Sequence, residues 1–300
     1  MKIGIRLPGA GPWAGPDAIE RISRHAEEAG FDSVWMTDHI ALPSKIETPY
    51  PYSETGKFLW PSDTPYLETL TALTWAAAAT ERVELGTSIL VLTWRPLIHT
   101  AKSLVSIDVL SRGRLNVAVG VGWMKEQFEV LGYDFKNRGP RLTEEIRALK
   151  HMWEVDDVDF SGEFHDLHGF KIYPKPVRPE GIPIWCAGYA ERPLQRVAAV
   201  GDGWHPLSLG PEDYAKRLAR LTELLEEHGR SLDDITLTAR PFRAAPFTPE
   251  TLEAYHELGV VHVVLDTSFE HPTLDQALQE LDQLAEDLLP VAHRMGAPAG

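Results

Sequence analysis

Three hundred residues, 43% of them hydrophobic, are enough to bury a large core, either as two ordinary domains or as one α/β barrel. A formal net charge of −15 excludes a general nucleic-acid binder, which needs a basic face to neutralise phosphates, but leaves room for a small anion in a local pocket. The single cysteine, Cys186, excludes an intrachain disulfide, no apolar run approaches the ~20 residues of a membrane helix, and the opening stretch carries no signal peptide, so a soluble cytoplasmic protein is expected.

From the N-terminus, KIGIRL (2–7) reads as a strand, followed by glycines and the helix PDAIERISRHAEEAG with Pro16 near its start. FDSVWM is the second strand, and Asp38 and His39 arrive directly after it. Residues 65–80 read as a second helix with apolar spacing at Leu67, Leu70, Leu73 and Ala77. RVELGTSILVL is the third strand, RPLIHTAKSLVSIDVLSRG a helix ended by Gly113, and RLNVAVGVG the fourth strand. A short helix, WMKEQFEVLG, and a longer one over 140–153 follow.

After a hairpin insertion, DFSGEFHDLHGFKIYPKPV, the alternation resumes: strand IPIWCAG, helix ERPLQRVAAVG, strand DGWHPL, helix 211–228, strand ITLTARPF, helix 249–258, strand VVHVVLD and helix 274–289. Gly30, Gly201 and Gly259 each end a helix just before a strand, the expected chemistry of tight helix-to-strand loops. Most strands are apolar on both faces, as a covered parallel sheet requires. Eight such units give the α/β class and a single (β/α)₈ TIM barrel over 1–300, with a long loop after strand two (40–64) and a hairpin insertion before strand five (156–182). A doubly wound sheet is the competing architecture, but no GxGxxG follows the first strand.

In such barrels the active site lies at the C-terminal ends of the strands. Those ends carry Pro8–Gly9, Asp38–His39, Ser88–Ile89, Gly120–Val121–Gly122–Trp123, Gly188–Tyr189, His205, Arg240 with Arg243, and Asp266. Glycines, an imidazole beside a carboxylate and arginines therefore converge on one rim, which reads as a ligand site. Glu126 lies about one turn past Trp123, in a helix that also reads as packing Phe128 and Leu131. The loop 40–64 holds Tyr50, Tyr52, Phe58 and Trp60 without periodicity, which favours a lid over the site. His165 and His168 in HDLH have metal-ligand types but no accompanying ligand run, so they read as hairpin surface and no metal is expected.

The runs VWMTDH, LGTSIL, GRLNVAVGVGWMKEQFEVLG and IPIWCAGYAERPLQRVAAVGDGWHP resemble the luciferase-like monooxygenase superfamily, and within it the branch that uses the deazaflavin coenzyme F420. The resemblance covers nearly the whole chain. It implies a (β/α)₈ barrel with a flavin-like ring in the C-terminal mouth and a hydride-transferring oxidoreductase acting on a small organic substrate.

Residue by residue, it implies that His39 exchanges the substrate proton beside the ring, with a pKa suited to neutral pH. It implies that Asp38 fixes the tautomer of His39 or bonds the ring; the structural alternative is Asp38 as a helix cap and His39 as a solvated loop residue. Ser88–Ile89 matches the place where many members carry a non-proline cis peptide backing the ring, although the sequence alone shows only a serine in a strand. Gly120 and Gly122 fit close backbone approach to a flat ligand. Gly188, Tyr189 and Arg192 match a phosphate-holding helix start.

Two departures separate this chain from the sugar-phosphate dehydrogenases of that branch. Trp123 stands where they carry glutamate, and IALPS follows the histidine where they carry tryptophan, so glucose 6-phosphate is not the expected substrate. FMN-dependent monooxygenation and a non-catalytic flavin-binding barrel are the alternative functions. The convergent Arg240 and Arg243 favour F420 with its long anionic tail. The expected partners are a small-molecule substrate and a second copy of the chain in a homodimer, with no nucleic acid or membrane.

Overall fold

The computed structural model describes residues 1–242, 244–267 and 271–296. Eight parallel strands close a barrel in the order β1-β10-β9-β8-β7-β4-β3-β2. They are β1 (Lys2–Arg6), β2 (Ser33–Met36), β3 (Glu84–Leu90), β4 (Leu115–Val119), β7 (Ile184–Ala187), β8 (Gly203–His205), β9 (Thr236–Ala239) and β10 (His262–Leu265). Strands β5 (Val158–Ser161) and β6 (Asp166–Phe170) pair antiparallel outside it. Around the barrel run α1 (Pro16–Ala29), α2 (Thr69–Ala79), α3 (Leu97–Leu110), α4 (Lys125–Leu131), α5 (Arg138–Glu154), α6 (Glu191–Val200), α7 (Pro211–Glu227), α8 (Pro249–Glu257) and α9 (Leu274–Met295). A 3₁₀ turn, Leu92–Trp94, follows β3. Among the described residues no helix is long and apolar enough to cross a membrane.

The helices form where apolar spacing gives them one face to bury. In α1 that face is Ala18, Ile19, Ile22 and Ala26, and the left-handed Gly30 (φ 97°) ends the helix by donating to the Ala26 carbonyl. Gly259 (φ 82°) is also left-handed, but Gly201 is not, and there the expected cap chemistry is corrected. Gly201 is extended, and a Cβ would lie 3.2 Å from Cys186 Sγ and 3.1 Å from the Val197 carbonyl. Space, not a positive φ, requires that glycine. The second helix also starts later than its pattern suggests. Tyr66 pairs with Ala10, Leu67 donates to the Gly9 carbonyl, and the Glu68 side chain caps the Thr71 amide, so Thr69 is the first helical residue.

The barrel interior departs from the layers of branched aliphatics usual in this architecture. Trp35 and Trp185 fill it, with ring centroids 5.5 Å apart, and the His205 ring stacks on Trp35 at 5.3 Å. Glycines make the room: a Cβ on Gly4 would lie 2.5 Å from Trp35 Nε1, one on Gly86 2.1 Å from the same indole, and one on Gly203 2.5 Å from Trp185. Trp35 Nε1 donates to Ser33 Oγ, which in turn bonds His262 Nε2 at 2.7 Å. Burial pushes both His205 and His262 down to about 3, so both rings are neutral.

Candidate active site

Strand β2 delivers Asp38 and His39 to the C-terminal mouth, and neither faces solvent freely: Asp38 is 6% and His39 9% exposed. His39 packs against Phe58, Tyr66 and Trp94, with centroids at 4.9, 5.2 and 5.9 Å. Burial first of all lowers its pKa, and a hydrogen bond to Gln127 together with the Asp38 charge offsets this only in part. Its Nδ1 meets Gln127 Oε1 at 2.9 Å.

Asp38 therefore does not orient His39, and that expectation is corrected. Its carboxylate is fully committed elsewhere. Arg95 grips it with two bonds of 2.7 Å, Thr69 Oγ1 donates to Oδ1, and the Val91 amide donates to Oδ2. Arg95 also reaches Glu68 at 2.9 Å. Burial alone would lower the Arg95 pKa, but Asp38 and Glu68 outweigh it and the pKa ends raised.

At the ends of β1, β9 and β10, Arg240 is held by Asp266 through bonds of 2.8 and 2.5 Å, and Arg6 donates to the same carboxylate at 2.9 Å. Burial works to raise the Asp266 pKa, yet Arg240 and Arg6 leave it lowered. Arg240 also donates to the Ser88 carbonyl and to Ser88 Oγ, which bonds His205 Nε2 at 2.7 Å. The Ser88–Ile89 peptide bond is cis. Arg240 is thus part of the barrel's frame, not a free cation for an anionic tail; Arg243 lies outside the described residues.

The glycines of the rim serve their neighbours. A Cβ on Gly120 would lie 1.9 Å from Ile89 Cδ1, and one on Gly122 (φ 72°) would lie 2.9 Å from Val91 and 3.0 Å from Phe128. Both gaps are filled by side chains of the chain itself. Gly188 (φ 97°) accepts from Trp204 Nε1 at 2.8 Å, and Arg192 is exposed in the first turn of α6.

Trp123 and Glu126 meet the 40–64 loop. Trp123 packs on Tyr50 and Phe58 at 5.0 and 5.3 Å. Glu126 Oε1 accepts from the Glu47 and Thr48 amides at 2.9 Å each. Burial acts to raise its pKa, but the loop amides help bring it below the ordinary value. The structure thus brings His39, Trp123 and Glu126 together under one loop, and Ser88, Ile89, Gly120 and Arg240 together at the barrel top.

Between the loop and the far rim is a cleft of about 830 Å³, lined by Tyr52, Ser53, Phe58, Tyr189, Ser208 and Ala244 among others. Phe58 belongs both to this cleft and to the wall of His39. Ser208 Oγ is buried, has no partner among the described residues, and belongs to the cleft lining. Arg95, Glu68, Ser208 and Gln127 escaped the sequence reading. Gln127 carried a usable signal: it is polar within the stripe Met124, Gln127, Phe128, and all three side chains are buried.

The family profile of luciferase-like monooxygenases matches residues 1–293. An F420-dependent glucose-6-phosphate dehydrogenase of Amycolatopsis mediterranei is 31% identical over 248 residues, 79% of this chain and 67% of that one. Two solved structures share the fold. The monooxygenase RslO1 of Streptomyces bottropensis has a TM-score of 0.75 at 21% identity, covering 97% of this chain and 99% of its own. An F420-dependent secondary alcohol dehydrogenase, complexed with an F420–acetone adduct, has a TM-score of 0.75 at 19% identity, covering 97% and 98%.

Proposed function

The chain belongs to the luciferase-like monooxygenase family, and from that premise we propose that it is an oxidoreductase transferring a hydride between coenzyme F420 and a small organic substrate. The observation that carries this reading is His39: a buried, neutral imidazole in an aromatic wall at the end of β2, bonded through Nδ1 alone. Such a ring is suited to exchanging a proton with a substrate hydroxyl or carbonyl. The relative named as an F420-dependent dehydrogenase and the structural neighbour named as an F420-dependent alcohol dehydrogenase support the choice of cofactor.

The residues present fit such a group. The cleft is of a size that suits a cofactor-sized ligand, and the unpartnered Ser208 hydroxyl offers it a polar contact. Ser88–Ile89 and Gly120 would back the ring, and Gly188, Tyr189 and the start of α6 with Arg192 would hold phosphate. No side chain caps that helix start, so its first amides are open to an anion. When bound, the deazaflavin supplies a two-electron hydride acceptor and donor.

The chain's own part is to move the proton at His39, to hold the loop through Glu126, and to exclude water with Tyr50, Phe58 and Trp123. That wall is aromatic where sugar-phosphate dehydrogenases carry a carboxylate, which argues for an uncharged substrate. Glu126 acts in this reading as a loop anchor and not as a proton carrier.

A homodimer belongs to the same reading; Trp75 on α2 and Ile98 and Leu110 on α3 are 50%, 45% and 66% exposed and support it. So does a cytoplasmic location, with the lone Cys186 buried and free. The test is an equilibrium titration of purified protein with F420 and with FMN, followed by tryptophan fluorescence. F420 is expected to bind at least about tenfold more tightly, a gap of roughly 1.4 kcal/mol. Equal affinities, or FMN copurifying at full occupancy, would return the protein to flavin chemistry.

A further inference from the structure

His39 has an unusual partner. A histidine that moves protons is commonly oriented by a carboxylate, which also stabilises the imidazolium. Here a carboxylate is the preceding residue, yet both oxygens of Asp38 are occupied by Arg95, Thr69 and the Val91 amide. Among the described residues the imidazole's one hydrogen bond runs to Gln127, an uncharged amide on α4 that is completely buried. Gln127 Oε1 faces Nδ1, and Gln127 Nε2 is sealed with no partner among the described residues. Nε2 of His39 makes no hydrogen bond to the described residues and is not among the sealed polar atoms.

The groups facing the ring complete the picture. Phe58 from the loop and Trp94 from the 3₁₀ turn are apolar at their contacts. Tyr66 offers its ring edge, and its hydroxyl is taken by Thr37 Oγ1 at 2.5 Å. The nearest charges are Asp38, compensated by Arg95, and Glu68 beyond it.

We propose that Gln127 is a positioning residue for His39: its side-chain carbonyl accepts from Nδ1–H, fixes that tautomer, and leaves Nε2 with its lone pair directed to the substrate side. With the amide oxygen turned to the ring, as here, only one tautomer satisfies it. A carbonyl oxygen cannot face the bare lone pair of Nδ1, so the proton sits on Nδ1. An amide carries no charge to stabilise imidazolium in a dry wall, so the ring rests neutral and acts first as a proton acceptor. Taken with the function proposed above, on which this last step rests, the substrate that fits is an alcohol. Its O–H proton would pass to Nε2 of His39, and a deazaflavin held in the cleft would supply the two-electron acceptor for the carbinol C–H as the carbon–oxygen bond becomes a carbonyl.

The test needs neither substrate nor cofactor. In protein carrying isotope-labelled histidine, His39 is assigned by its disappearance in His39→Ala, and the two ring-nitrogen shifts report the tautomer. Nδ1 is expected to be protonated and Nε2 bare at neutral pH. In Gln127→Glu a carboxylate replaces the amide, and the midpoint of His39 is expected to rise by about one pH unit or more, a tenfold gain in proton affinity. In Gln127→Leu the tautomer preference should relax while the remaining histidines keep their shifts. A wild-type ring protonated on Nε2, or an unmoved midpoint in Gln127→Glu, overturns the proposal. If Gln127→Glu fails to fold, the wild-type tautomer still decides. The outcome is separable from the cofactor question, because a Nδ1–H tautomer in a protein that ignores F420 would leave the role of Gln127 standing and remove only the alcohol.

Discussion

Two buried ion clusters stand in the same mouth, and they are built inversely. Beside His39, one guanidinium, Arg95, serves two carboxylates, Asp38 and Glu68. At the ends of β1, β9 and β10, one carboxylate, Asp266, serves two guanidiniums, Arg240 and Arg6. The first has an outlet, since the Glu68 side chain is 42% exposed, whereas Asp266 and Arg240 are 9% and 7% exposed. The first cluster absorbs a carboxylate that would otherwise charge His39. The second grips the Ser88 carbonyl and so fixes the backbone beneath the proposed ring site. Similar chemistry therefore does different work: one cluster keeps the proposed proton-transfer group neutral, the other holds a peptide in place.

The sharpest way to separate these roles is His39 itself. His39→Ala should lower turnover by about 10²–10⁴-fold with cofactor affinity within a few-fold, measured by steady-state kinetics and titration. An unchanged rate with an accepted substrate would mean that the acid-rich cluster guards nothing. Next come the hubs. Asp266→Ala strands Arg240 in the interior and should cost about 3–5 kcal/mol of unfolding free energy. Arg95→Ala should sit at the low end of that range, about 3 kcal/mol, because Glu68 can turn to water. Urea denaturation of both variants reads the difference, and equal losses would erase the contrast in depth.

Acid should reach neither cluster first. His205 and His262 are held down to about 3 mainly by burial, with Arg240 adding to it at His205 and Lys2 at His262. An unfolded histidine takes a proton near ~6.5, so their contribution is whole above that pH and is lost as pH falls toward the folded value. Asp266 and Glu68 are also lowered, so their contributions fade only below the unfolded carboxylate range of ~3.9–4.3. Denaturation midpoints should therefore begin to drop near pH 6.5. A flat profile down to the carboxylate range would mean that the two rings are not neutral inside the barrel.

The smallest effect is expected at the loop. Replacing Tyr50–Trp60 with a short Gly/Ser bridge should leave the barrel folded but strip one wall of the cleft, and cost roughly tenfold in kcat/KM, through both constants. If the shortened chain unfolds, Tyr50 and Phe58 are packing anchors for Trp123, not a cover for His39.

The sequence made the rim legible because strand ends are local. Asp38, His39, His205, Arg240 and Asp266 could all be placed there from alternation alone. Pairings across the fold were not legible. Arg95 finds Asp38 at a separation of 57 residues, and Gln127 finds His39 at 88. No periodicity encodes such a meeting; it needs the barrel to close. The glycines show the same limit in reverse. Gly120 and Gly201 stand out in the sequence, but what fills the space beside each, Ile89 and Cys186, is a property of packing.

The aromatic filling of the barrel also sets how this chain can change. Trp35 occupies space that a Cβ on Gly4 or Gly86 would invade, and Trp185 does the same to Gly203. Any one of these glycines exchanged singly meets an indole, and either indole trimmed singly leaves a void whose glycine walls have no side-chain atoms to move inward. The five positions form one inheritance unit. Substitutions there are expected to travel together between related sequences, and the route from this interior to a layered aliphatic one passes through no viable single step.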